Sequence, residues 1–96
     1  MGRHEELRNE IDRIDRQLMK LFEERMNITR EIADYKRAND IPVLDQARED
    51  KVIEKNVTYL KDHTLDKYAR EFTKRLMELS RTRQSEALNN KVTKTC

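Results

Sequence analysis

Arg25 stands in the middle of an otherwise apolar line. Counting from Leu7 in alternating steps of four and three, Leu7, Ile11, Ile14, Leu18, Leu21, Arg25, Ile28, Ile32 and Tyr35 form one seam, and Arg25 is its only charged member. A guanidinium on a buried face is costly unless it meets a fixed carboxylate or an anionic ligand. Lys36 follows after close to three helical turns, so it shares the face of Arg25 at about 16 Å along the axis. Farther on, Ser80 and Gln84 continue the four-residue ridge that begins with Phe72 and Leu76, putting a hydroxyl and a carboxamide where leucine is expected. Arg48 lies one turn before Val52 and Glu49 one turn before Ile53, at the edge of a buried face. Two or three cations, one carboxylate and two neutral polar groups facing an apolar interior suit a small, mostly apolar anion that carries carboxylates and a hydroxyl. The chain has no Ser/His/Asp set, cysteine nucleophile, phosphate-binding glycine loop or His-based metal cluster. Any catalysis must therefore come from positioning and fixed electrostatics.

The residues also admit plainer roles. Arg25 paired with Glu49 is a structural ion pair, Ser80 and Gln84 mark a narrow or wet part of a bundle, and Lys36 and Arg48 taken singly are surface cations. His4 and His63 sit in charged surroundings that suit a surface or a helix end.

The elements that must position these groups are helices. Arg3 to Asn39 contain no Gly or Pro, and the seam has coiled-coil-like spacing, so one helix runs to about Asn39. Pro42 forbids its continuation. Ile41, Val43 and Leu44 are an apolar plug that anchors the connection. Asp45 is an N-cap, and a second helix follows from about Gln46 to Lys61 with Val52, Ile53, Val57 and Leu60 inward. A third runs from about Leu65 to Leu88 with the stripe Leu65, Ala69, Phe72, Leu76 and Leu79. The first helix is about 54 Å long, whereas a compact domain of this size has a radius of gyration of about 13 Å. Two shorter helices cannot cover both ends of its seam. The expectation is an all-α fold with three helices per protomer, one of them very long, in an intertwined homodimer. The helical domain spans 1–88, and 89–96 form a polar, disordered tail.

Composition agrees with a small oligomer. Charged residues make up 42% of the 96 and hydrophobic ones 35%, but the net charge is only +2, so periodicity decides for order over disorder, and oligomerisation supplies apolar burial at this length. Basic and acidic residues alternate, and the five aromatic residues have helical spacings, so nucleic-acid binding is not expected. No stretch is apolar enough to span a membrane or to act as a signal region. The lone cysteine, Cys96, excludes a disulfide framework within the chain and fits a reducing cytoplasm.

Three blocks, LRNEIDRIDRQLMKLFEERMNITREIADYK, IPVLDQARED and SRTRQ, resemble in order and spacing the all-helical chorismate mutases, over Leu7 to Leu88. The resemblance implies an intertwined dimer that converts chorismate to prephenate by an intramolecular Claisen rearrangement, on the way to phenylalanine and tyrosine, with no cofactor or metal. It matches the family's site residues to Arg8, Arg25, Lys36, Asp45, Arg48, Glu49, Ser80 and Gln84. By this analogy Arg8 and Arg25 bind the two substrate carboxylates with help from Arg48, Glu49 holds the ring hydroxyl, and Lys36 and Gln84 flank the ether oxygen. Arg8 and Arg25 are about 25 Å apart and some 100° around the helix, so Arg8 is expected to reach into the partner's site. Arg81 departs from the family, replacing an apolar wall residue, and its sequence position leaves open whether it alters substrate affinity or points outward; Leu79 also departs, at a place where some relatives are acidic. Two other readings remain: an isochorismate pyruvate lyase of the same fold, and a helical dimerisation module without catalysis.

Overall fold

The computed structural model describes residues 2–95, with side chains described for 2–86. Three α-helices account for most of it: α1 (Arg3–Ala38), α2 (Gln46–Thr58) and α3 (Asp66–Thr95), with a 3-10 turn at His63–Leu65 before the last. Among the described residues there is no strand, as the all-α expectation required.

Each boundary has a local cause. Glu5 and Glu6 occupy the first turn of α1 and Lys36 and Arg37 its last, the order of charges that opposes the helix dipole. At its end Asp40 takes a left-handed conformation with φ 55°. The Ile41 amide then donates back to the Lys36 carbonyl at 2.8 Å and the Asp40 amide to that of Arg37 at 3.3 Å. This is a Schellman closure with aspartate where glycine is commonest, and Pro42 follows it. The Asp45 carboxylate accepts the Arg48 amide at 3.0 Å and so caps α2. Asp62 caps the 3-10 turn, accepting both the amide and the hydroxyl of Thr64. Those two bonds, the side-chain one first, hold its carboxyl below the usual aspartate range.

The second helix is shorter than its apolar pattern suggested, ending at Thr58 with Tyr59 as its C-cap. The third begins one residue later than expected and extends to Thr95. The expectation of a polar tail over 89–96 falls where side chains lie outside the described residues, as does Cys96.

Packing corrects the assignment of the inward face of α3. Among the described residues its buried side chains are Thr73, Met77 and Ser80, and those of α1 and α2 are Met26, Ala33 and Val57, with the Ser80 hydroxyl against the Met26 sulfur. The Asn56 carboxamide donates to the Thr73 hydroxyl at 3.3 Å, so the buried hydroxyl is satisfied. Phe72, Leu76 and Leu79 instead line an apolar groove with Leu18, Met19, Leu21 and Phe22, about 340 Å³ in volume. Phe72 is 52% exposed. The plug residues Ile41, Val43 and Leu44 are likewise exposed in the single chain.

The chain is long and flat, 58 × 30 × 15 Å, with a radius of gyration of 17.3 Å. A compact chain of this length has about 13 Å. The apolar seam of α1 is correspondingly bare: Leu7, Ile11, Ile14, Leu18, Leu21, Ile28 and Ile32 are all exposed.

Candidate active site

Between the C-terminal half of α1, the start of α2 and α3 lies a pocket of about 180 Å³. Arg25, Lys36, Asp45, Arg48, Glu49, Ser80 and Gln84 all line it. Seven of the eight residues singled out from the sequence thus come together in one chain. Arg8 does not: it is exposed on α1 and lines no part of this pocket.

Ser80 is buried because it faces α1, not because it binds anything yet. Its hydroxyl donates to the Leu76 carbonyl at 2.9 Å and accepts from Arg25 Nη1 at 3.3 Å. The serine therefore satisfies itself within α3 and leaves a lone pair that orients the guanidinium. Gln84, one turn on, donates from Nε2 to the Thr29 carbonyl at 2.7 Å. One of its amide protons is engaged; the second and the carbonyl oxygen remain for a ligand. Lys36 Nζ donates to the Val43 carbonyl at 3.3 Å, tying the end of α1 to the loop before α2.

The charges are unevenly paired. The pocket carries Arg25, Lys36, Arg48 and Arg81 against Asp45 and Glu49. Asp45 is engaged at the α2 N-terminus. Glu49 is bound by Arg81, whose Nη1 donates to both carboxylate oxygens. The ion pair between Arg25 and Glu49 that the residues alone allowed is therefore not formed. Among the described residues neither Arg25 nor Lys36 has a carboxylate within salt-bridge distance. Both are half-buried, and two uncompensated cations on one pocket wall make a seat for an anion.

Sequence reasoning missed three contributors. Thr29 supplies the carbonyl that holds Gln84, Ala33 is the small residue that leaves the pocket room, and Met77 forms its floor. The spacing of Thr29 and Ala33 from Arg25, one and two turns along α1, was the available signal. Arg81, undecided from its position, faces inward.

Among the described residues no group of acidic, His or Cys side chains is arranged to hold a metal, and no helix is long and apolar enough to cross a membrane.

A long helix, a short one and a third that together frame this pocket make an all-helical class of fold. Residues 7–85 match the family described as chorismate mutase type II, and the chain belongs to that family. It is also similar to a chorismate mutase of Methanocaldococcus jannaschii, with 33% identity over 61 residues. That alignment covers 64% of this chain and 62% of the relative's length. No solved structure matches the chain.

Proposed function

We propose that the protein is a chorismate mutase, rearranging chorismate to prephenate in the supply of phenylalanine and tyrosine, in the cytoplasm. The observation that carries this reading is the convergence of Arg25 and Lys36, both without a carboxylate partner, on one pocket with the anchored carboxamide of Gln84. Family membership supports it.

Chorismate is a dianion with a ring hydroxyl and an enol ether. In the rearrangement the ether C–O bond breaks while a C–C bond forms at the other end of the same molecule, with no proton transfer and no covalent enzyme intermediate. The task of the protein is to hold the two ends together and to meet the charge that grows on the ether oxygen. Arg25 binds one carboxylate, oriented by Ser80. Arg48, exposed at the pocket rim, assists. Glu49 accepts the ring hydroxyl, and Asp45 sets the start of α2 that carries both Arg48 and Glu49. Lys36 and the free amide proton of Gln84 donate to the ether oxygen. Because that oxygen is more negative in the transition state than in the substrate, these donors lower the barrier and do not merely tighten binding.

With Lys36 given to the ether oxygen, Arg81 to Glu49 and Arg48 exposed at the rim, the other carboxylate is left to a cation from outside the single chain. The pocket, about 180 Å³ in a single chain, is open to the surface, and the α1 seam beside it is exposed, which leaves room for a further wall. A second copy laid along the exposed α1 seam supplies both, covering Leu7 to Ile32 and bringing its Arg8 to the site. Two such sites then form in an intertwined dimer.

The test is the loss of chorismate absorbance on adding purified protein, with prephenate as product. Release of salicylate and pyruvate from isochorismate instead would assign the lyase reaction. Turnover of neither, with the fold intact, would leave a dimerisation module.

A further inference from the structure

Arg81 follows Ser80 on α3 and crosses to the first turn of α2, where one terminal nitrogen donates to both oxygens of Glu49. The Glu49 side chain is 18% exposed and that of Arg81 37%. The contact thus lies on the pocket wall, with the carboxylate the less exposed of the two groups. Three other cations line the same pocket, but none of them holds Glu49. The helix register, not a shortage of positive charge, selects Arg81.

We propose that Arg81 is a positioning residue for Glu49, fixing the carboxylate for the substrate hydroxyl and cancelling its repulsion of the bound dianion; this rests on the chorismate mutase reading. A carboxylate has about four lone-pair directions, two on each oxygen. Arg81 uses one on each and leaves one on each, so the hydroxyl is accepted without displacing the arginine. Unpartnered, Glu49 would be a half-buried negative charge beside two substrate carboxylates, and like charges at such range are unfavourable. That cost falls on ground state and transition state alike, since both are dianions. Relieving it is uniform binding, which appears in KM more than in kcat.

The experiment is a double-mutant cycle with full chorismate kinetics on wild type, Arg81→Met, Glu49→Gln and the double variant, each checked for helicity. Arg81→Met is expected to raise KM about tenfold with kcat within about threefold of wild type. In the Glu49→Gln background the same substitution is expected to change KM by less than about twofold. Arg81→Lys, keeping the positive charge on a shorter-reaching single nitrogen, recovers part of the KM effect. Equal KM factors in both backgrounds would make Arg81 a direct substrate cation and overturn the proposal, as would an Arg81→Met enzyme with unchanged KM. Should Arg81→Met fail to fold, Arg81→Gln takes its place in the cycle under the same criteria. If the wild type turns over no chorismate, the functional reading alone has failed. The same four proteins then decide the role of Arg81 through the Kd of malate, a hydroxylated dicarboxylate, judged by the same non-additivity.

Discussion

The Gln84 carboxamide is held 2.7 Å from the Thr29 carbonyl, a side chain of α3 pinned by the backbone of α1. A backbone carbonyl can only accept, so the bond settles which end of the amide is the nitrogen and leaves its second proton for a ligand in the pocket that Gln84 lines. Replacing Gln84 with alanine removes a neutral donor from the ether oxygen, and kcat is expected to fall about 10²–10³-fold. Gln84→Glu presents a carboxylate to the Thr29 carbonyl and to the ether oxygen, both of which repel it. Protonation restores a donor, so the activity of that variant is expected to rise as pH falls. A flat pH–rate profile for it would contradict the donor role.

Lys36 is tethered to the loop by the Val43 carbonyl and faces the pocket without a carboxylate partner. Lys36→Ala is expected to lower kcat about 10²-fold or more while sedimentation and helicity stay as in wild type. A change confined to KM would mean that the lysine binds substrate and transition state equally.

Arg8 and Arg25 belong to one helix but to different sites in the proposed dimer. Arg8→Ala and Arg25→Ala homodimers are each expected to be inactive. Mixed subunits place both lesions in one site and leave the other whole, so an equal mixture should recover about a quarter of wild-type activity. Kinetics after verified subunit exchange decide this; no recovery would place Arg8 outside the site.

Asp40 holds a left-handed conformation, φ 55°, at the end of α1. Glycine adopts it without the steric cost of a Cβ. Asp40→Gly is expected to stabilise the protein by about 0.5–1 kcal/mol, measured by denaturant unfolding.

Glu54 and Arg70 join α2 to α3 by two hydrogen bonds of 3.0 and 3.1 Å. The Arg70 side chain holds the Glu54 carboxyl below its ordinary range. Since the native carboxyl is the more acidic one, this contribution to stability is present above the unfolded glutamate value, about 4.3, and disappears as pH falls through the lower native one. Both groups are exposed, which keeps the effect small. Thermal melts should therefore show Glu54→Gln below wild type at pH 7 and the two converging below about pH 4.

Much of this protein is written locally. The long α1, its stop before Pro42, the Asp45 cap and the common face of Arg25 and Lys36 follow from helical period, backbone restriction and short-range hydrogen bonding, which neighbours in sequence determine by themselves. Tertiary packing decided the rest. α3 has two adjacent faces that a helix could bury, one through Thr73, Met77 and Ser80 and one through Phe72, Leu76 and Leu79. Hydrophobicity favoured the second, but the first is the one buried in the chain, with Thr73 bonded to Asn56 of α2 and Ser80 against Met26 of α1. The grip of Thr29 on Gln84 and the choice of Arg81 over Arg25 as partner of Glu49 depend on the relative rotation and register of separate helices. Those are properties of the assembled bundle, because no interaction along one helix fixes its position against another.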